Sequence, residues 1–159
     1  MPKNNTLEHI FNIARTNEEK GAEFYASLAE KAENLRIKDI FIKLSREELE
    51  HKAAFEKIIQ MEIGTSSEEM PESENKLLNT IVSAGVFQDL AGGEVLSAID
   101  ALAIGIQAEK DSILLYHEIY KQVKSQVAKS MLSILLEEEK MHLVSLREQM
   151  DGLQEEIKR

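Results

Sequence analysis

The sequence contains no cysteine and no tryptophan, and among its 159 residues there are only two prolines and seven glycines. The absence of cysteine excludes disulfides, thiol catalysis, zinc sites with cysteine ligands and iron centres with four cysteine ligands within this chain. A metal site here must therefore use Glu, Asp and His side chains. Because proline and glycine are the residues that break helices, their scarcity leaves long helices uninterrupted.

Long apolar runs and excess positive charge are also absent. No apolar run approaches the roughly 20 residues that span a bilayer, and the start, Met-Pro-Lys-Asn-Asn, lacks the apolar core of a signal peptide. A cytoplasmic protein without a membrane partner is therefore expected. The 19 Lys and Arg residues against 29 Asp and Glu give a net charge of −10, which argues against nucleic acid as a partner.

Apolar residues recur at three- and four-residue intervals in four segments, which predicts an all-α protein with four helices. The predicted helices are about 6–33, 36–62, 97–123 and 126–150. At 159 residues, 43% of them hydrophobic, the chain is long enough to bury a core. A single domain, 1–159, is expected. Asn5 and Ser97 are predicted N-caps, and Asn34 marks a short turn. The fourth helix is expected to fray or end at Gly152, although Leu153 and Ile157 could extend its apolar stripe.

The second and third helices are separated by a long connection, 63–96. Its first part, 63–75, is polar and contains proline and glycine, so a loop is predicted there. The part at 77–90 has the apolar spacing of a short amphipathic helix. Since the connection is long enough to span a bundle, a crossover between helices 2 and 3 is expected.

One set of four residues occurs twice with the same spacing. The first set is Glu18, Tyr25, Glu48 and His51, and the second is Glu109, Tyr116, Glu139 and His142. Each residue of the second set stands 91 positions after its counterpart, as 109 − 18 and 142 − 51 both give. A Glu from each of two helices and a Glu-x-x-His from each of the other two is the pattern of a di-iron or di-manganese site in a four-helix bundle.

All four glutamates lie on apolar helix stripes, where a metal-free protein would bury them at high cost. An unpaired buried carboxylate costs several kcal/mol, and the stripes contain no Lys or Arg to neutralise it. Two divalent cations would balance four carboxylates, and two imidazoles would complete the ligand set. Carboxylate and imidazole ligands suit iron and manganese, and zinc is possible.

Simpler explanations exist for each residue alone. A helical Glu is usually a solvated surface residue, and Glu47, Glu137 and Glu138, which lie off the apolar stripes, are assigned to the surface. Tyr25 and Tyr116 are either core aromatics or donors that orient a metal-binding carboxylate through a hydrogen bond.

Four motifs in register carry a resemblance to a known family. They are Asn-Glu-Glu-Lys-Gly-Ala-Glu-Phe-Tyr at 17–25, Arg-Glu-Glu-Leu-Glu-His at 46–51, Ala-Glu-Lys-Asp-Ser-Ile-Leu-Leu-Tyr at 108–116 and Glu-Glu-Glu-Lys-Met-His at 137–142. The sequence resembles the ferritin-like di-iron proteins of the rubrerythrin type over about 7–150. This resemblance implies a ferritin-like antiparallel four-helix bundle with a long crossover between helices 2 and 3.

The resemblance also implies a role for each residue of the repeated set. Glu48 and Glu139 would bridge two iron ions, Glu18 and Glu109 would be terminal carboxylates, and His51 and His142 would each bind one ion. Tyr25 and Tyr116 match tyrosines that support these ligands. No catalytic side chain beyond the metal site is implied.

Two departures from the family pattern bear on activity. Full-length rubrerythrins carry a C-terminal rubredoxin domain with four cysteines, whereas this chain has none, so a separate electron donor such as a rubredoxin-like protein is expected. Typical members also carry a further Glu three residues after the third-helix ligand, where this chain has Ser112. The resemblance further implies a homodimer or higher homo-oligomer.

Three functions remain open at this point. The first is a di-iron oxidoreductase that reduces peroxide or oxygen. The second is Fe(II) oxidation with iron binding and storage, as in ferritins. The third is a metal-free helical interaction module in which the repeated motif has no present function.

Overall fold

The computed structural model describes residues 7–62, 72, 76 and 97–158, and the part it describes contains helices and no strand. The helices are α1 (Leu7–Lys31), α2 (Leu35–Glu62), α3 (Ala98–Gln122) and α4 (Gln126–Lys158). The all-α prediction is therefore confirmed. The predicted Asn5 cap and the predicted helix at 77–90 lie outside the described residues. So does the predicted loop at 63–75, except for Glu72, which is helical.

Side-chain caps start three of the four helices whose bounds are given above. Asn34 Oδ1 accepts hydrogen bonds from the backbone N–H groups of Arg36 and Ile37, at 3.0 and 3.3 Å. Ser97 Oγ accepts from Asp100 N at 3.1 Å, as predicted, and Ser125 Oγ accepts from Ala128 N at 3.2 Å. Each cap satisfies an N–H group that has no partner within its own helix.

The predicted end of α4 near Gly152 is wrong, and the alternative of an extension past it is confirmed, because the helix continues to Lys158. A glycine inside a helix costs only about 1 kcal/mol relative to alanine, which neighbouring contacts can offset. Leu153 packs against the apolar core one residue further on, and Arg36 Nη2 lies 3.7 Å from Glu156 Oε1. These contacts hold the last turns of α4 against the start of α2.

Each helix packs against two neighbours and lies diagonally opposite the third. The neighbouring pairs are α1 with α2, α3 with α4, α1 with α3, and α2 with α4. Glu62 Oε1, at the end of α2, accepts a hydrogen bond from Ser125 N in the turn between α3 and α4, at 3.1 Å. α2 and α3 therefore end at the same end of the bundle. Because α3 begins at the opposite end, the connection from α2 to α3 has to cover the length of the bundle. This is the predicted crossover topology.

The core consists of two apolar clusters with a polar layer between them. One cluster includes Phe11, Phe55 and Leu132, and the other includes Phe41, Leu102 and Leu146. Both are almost fully buried, so they exclude water from the polar layer on either side. None of the helices in the described part of the chain has a stretch apolar and long enough to cross a membrane.

Candidate metal centre

The polar layer brings together the six side chains that sequence spacing singled out as metal ligands. They are Glu18 on α1, Glu48 and His51 on α2, Glu109 on α3, and Glu139 and His142 on α4. None is more than 4% exposed. Glu48, His51, Glu139 and His142 each offer one potential ligand atom, and these four atoms lie within 4.8 Å of one another.

The Glu-x-x-His motifs of α2 and α4 face each other reciprocally. Residues three apart on a helix share one face, so Glu48 and His51 both point towards α4. His51 Nδ1 lies 2.9 Å from Glu139 Oε1, and His142 Nδ1 lies 3.1 Å from Glu48 Oε1. The two imidazole rings stack with centroids 5.3 Å apart. Both Nδ1 atoms therefore point into the carboxylate cluster.

Glu18 and Glu109 lie on either side of this central group. Glu18 Oε2 is 3.6 Å from His51 Nδ1, and Glu109 Oε1 is 3.6 Å from His142 Nδ1. Each outer carboxylate thus lies beside one histidine. By contrast, the two oxygens of Glu139 lie 2.9 Å from His51 Nδ1 and 3.2 Å from His142 Nδ1, so this carboxylate sits between the two.

Both tyrosines donate hydrogen bonds to the outer carboxylates. Tyr25 Oη donates to Glu109 Oε1 at 2.8 Å, and Tyr116 Oη donates to Glu18 Oε1. Burial, followed by the charge of the nearest carboxylate, raises the pKa of each phenol well above its usual value. The phenols therefore stay protonated and act as hydrogen-bond donors. Each tyrosine connects its own half of the repeat to the other half.

In the metal-free protein, burial and mutual repulsion shift the titration of the carboxyl groups. Burial, then the charge of Glu139, raises the pKa of Glu48 well above its usual value and that of Glu109 to about 8. Burial also opposes ionisation of Glu18, but hydrogen bonding with Glu48 and the nearby His51 lower the pKa of this group. The carboxylates therefore do not all carry charge at neutral pH without a cation.

The histidines act as the counter-charges of the metal-free cluster. Burial lowers the pKa of both imidazoles, but hydrogen bonds and charges from neighbouring carboxylates outweigh it. The pKa of His51 rises to about 11, and that of His142 to about 10. Among the described residues, the ion pairs of Glu18, Glu48, Glu109 and Glu139 are all with these two histidines.

Three buried carboxylate oxygens in the cluster have no hydrogen-bond partner in the described structure. They are Oε2 of Glu18, Glu109 and Glu139. An unsatisfied buried carboxylate oxygen is costly, whereas a bound cation would use it as a ligand. Oxygen and imidazole donors are also the ligands that iron and manganese accept in bundle sites. The residues present therefore fit a metal centre.

Comparison with known proteins agrees with this geometry. The rubrerythrin family model matches residues 9–150. The chain belongs to the rubrerythrin family. No curated protein matches this member of the family.

Two solved structures share the fold of this rubrerythrin-family chain. One is from Thermotoga maritima and is named as a candidate ferritin-like diiron-carboxylate protein, with 25% identity, a TM-score of 0.74, and coverage of 93% of this chain and 96% of that one. The other is a hypothetical protein from Pyrococcus furiosus, with 22% identity, a TM-score of 0.74, and coverage of 94% and 91%. The ferritin-like fold expected from the sequence is confirmed.

This member of the rubrerythrin family has a polar network on one side of the site. Asn17 Nδ2 donates to Ser112 Oγ at 2.9 Å and to Tyr116 Oη at 3.3 Å. Ser112, where the family pattern has a further Glu, is only 2% exposed. The residues 91 positions away from Asn17 and Ser112 are Ala108 and Gly21, so the repeat contains no counterpart of the Asn17–Ser112 hydrogen bond.

Sequence reasoning missed two further residues at the site, Glu47 and Glu138. Glu47 Oε2 lies 2.7 Å from His142 Nε2, and Glu138 Oε2 lies 2.5 Å from His51 Nε2. Their side chains are 29% and 52% exposed, so the assignment to the surface accounts for only part of their environment. The signal that could have found them is the repeat, because 138 − 47 is also 91.

Proposed function

We propose that this rubrerythrin-family chain is a non-haem di-iron oxidoreductase that reduces peroxide or oxygen. One observation carries this proposal: four carboxylates and two imidazoles are buried together between apolar layers, with three carboxylate oxygens unsatisfied. Two divalent cations would neutralise the four carboxylates, which removes the electrostatic cost of burying them. Manganese or zinc could occupy the same ligand set.

The proposed ligands divide into central and outer groups. Glu48 and Glu139 lie within ion-pair distance of both histidines, so each of these carboxylates would be able to serve both ions. Glu18 would serve the ion beside His51, and Glu109 the ion beside His142. Tyr25 and Tyr116 would hold these outer carboxylates in place through their hydrogen bonds.

The chemistry supplied by bound iron is electron transfer, since each ferrous ion can give up one electron to the oxidant. The protein residues bind the ions, balance their charge and exclude bulk water. No side chain is required as a nucleophile. The two phenols, whose pKa values are raised, remain protonated beside the outer carboxylates.

Iron stoichiometry followed by a single turnover tests this function. The protein is loaded anaerobically with Fe(II), desalted and assayed for iron, then mixed with peroxide while the ferric absorbance is followed. We expect about two irons per chain and their rapid oxidation by one equivalent of peroxide. Glu48→Ala should abolish both results, whereas Glu50→Ala, an exposed glutamate on the same helix, should not.

The other outcomes favour the two rival functions. Retention of many irons per chain after further Fe(II) is added in air would favour ferritin-like iron oxidation and storage. Failure of the wild-type chain to retain Fe(II) would favour the third function, a metal-free helical interaction module.

A further inference from the structure

The two histidines of the proposed metal centre have the same orientation relative to the bundle. Each directs Nδ1 inwards, towards the buried carboxylates, and Nε2 outwards, towards a carboxylate on the facing helix. We infer that Glu47 and Glu138 are positioning residues that hold His142 and His51 with Nε2 protonated and Nδ1 available to the metal. This inference rests on the proposed function.

The chemistry of imidazole makes this second contact consequential. A neutral imidazole carries one N–H group, and only its other nitrogen can donate a lone pair to a metal. A carboxylate at Nε2 stabilises the N–H on that atom, which leaves Nδ1 as the ligand. It also fixes the rotation of the ring and makes the ligand nitrogen more basic.

The contacts occur as a pair related by the internal repeat. Glu47 extends from α2 to His142 on α4, and Glu138 extends from α4 to His51 on α2. Each carboxylate directly precedes the proposed bridging glutamate of its own helix, Glu48 or Glu139. Because both halves carry the contact, each proposed metal ion has one oriented histidine.

The surroundings distinguish these two carboxylates from their acidic neighbours. A groove of about 350 Å³ lies between α2 and α4, and Glu47, Glu50, Glu137, Glu138 and His142 line it. Glu50 and Glu137 carry the same charge in the same groove, but the carboxylates that contact Nε2 are those of Glu47 and Glu138. Glu137 instead accepts a hydrogen bond from Lys140 at 3.2 Å. The groove therefore contains its own matched controls.

Measurements of metal affinity distinguish a loss of histidine orientation from a loss of negative charge near the site. Co(II) is titrated against a competing chelator for wild type, E47A, E138A, E50A and E137A. We expect E47A and E138A to weaken binding of one ion about 10- to 100-fold, the usual effect of removing a carboxylate partner of a metal-bound histidine. E50A and E137A remove the same charge and should change affinity less than about threefold, because exposed charges are strongly screened.

Conservative variants test the hydrogen bond itself. In E47Q and E138Q the amide oxygen can still accept from Nε2–H, so these variants should recover a large part of the lost affinity. Thermal unfolding of each metal-free variant shows whether it is folded, and the partial exposure of both side chains predicts that it is.

Proton NMR of the Co(II)-loaded protein observes the Nε2 protons directly. We expect two exchangeable, paramagnetically shifted N–H signals, with E47A broadening one by faster exchange with water and E138A broadening the other. If wild type binds two ions while E47A and E138A match E50A in affinity and retain both signals, the inference is overturned and the proposed function stands. If wild type binds neither Co(II) nor Fe(II), both are overturned.

Discussion

Tyr25 on α1 donates a 2.8 Å hydrogen bond to Glu109 on α3, which connects residues 84 positions apart in the sequence. Tyr116 and Glu18 make the corresponding contact in the opposite direction between the same two helices. A tyrosine of the first half of the repeat therefore orients a carboxylate of the second half, and a tyrosine of the second half orients a carboxylate of the first. The proposed metal centre is shared between the halves, so neither helix pair contains all of its ligands.

Removing one phenol should destabilise the fold. Tyr25→Phe leaves Glu109 buried without its donor, and an unsatisfied buried hydrogen-bonding group costs about 1–3 kcal/mol. We expect the free energy of unfolding to fall by about that amount, measured by urea denaturation of the metal-free protein. Tyr120→Phe is the control, because Tyr120 is 37% exposed and should change stability by less than about 0.5 kcal/mol. Equal effects of the two variants would contradict this role for Tyr25.

Removing one carboxylate should have opposite effects on the metal-free and metal-loaded proteins. Burial, and then the charge of neighbouring carboxylates, raises the pKa of Glu48, so Glu48→Gln, which keeps the shape of the protonated acid, should leave the metal-free Tm unchanged or raise it. The same variant should lose most of the Tm increase produced by Fe(II), since stabilisation by a ligand depends on its affinity for the native state. Differential scanning fluorimetry under anaerobic conditions measures both. Glu50→Gln should retain the increase, and a large loss of metal-free stability in Glu48→Gln would contradict this explanation.

How much of this centre could be predicted from sequence depends on the type of signal. Glu48 and His51 interrupt an apolar stripe, so their burial follows from helical periodicity alone. Glu47 has no such signal, because it lies beside the stripe and its contact with His142 exists only once α2 packs against α4. The Asn17–Ser112 contact similarly depends on the approach of α1 to α3. Periodicity identifies which side chains face inwards, but contacts between helices require the packing.

The metal-free protein should become less stable as the pH rises from about 5 to 9. The pKa of Glu109 is about 8 in the folded protein, against 4.5 ordinarily, so the native state binds more protons than the unfolded state between these values. Stability falls with pH wherever the native state binds the extra proton. His51 and His142 act in the same direction, since their pKa values of about 11 and 10 exceed the ordinary 6.5. Glu18, whose pKa is lowered, affects stability only in more acidic solution.

Urea denaturation at several pH values, with a chelator present, measures this dependence. Glu109→Gln removes one of the shifted groups, so its stability should decline less steeply between pH 5 and 8. Saturating Fe(II) should reduce or reverse the decline, because metal ligands bind as deprotonated groups and proton competition weakens as the pH rises. Stability of the metal-free wild type that increases from pH 5 to 8 would contradict the assigned shifts.

Two helical glycines should respond differently to alanine because their surroundings differ. At Gly152 an added Cβ would meet only the end of the Arg36 side chain, at 3.9 Å, so Gly152→Ala should raise stability by up to about 1 kcal/mol through helix propensity. At Gly105 the Cβ would lie 3.3 Å from Leu146 Cδ1, so the Leu146 side chain must move by a few tenths of an ångström, and 3.4 Å from Tyr25 Oη, which is close van der Waals contact. We expect Gly105→Ala to gain less stability than Gly152→Ala, because crowding of the added methyl group against the buried Leu146 side chain offsets the gain in helix propensity. Urea denaturation measures both variants, and an equal gain in stability at the two positions would contradict this explanation.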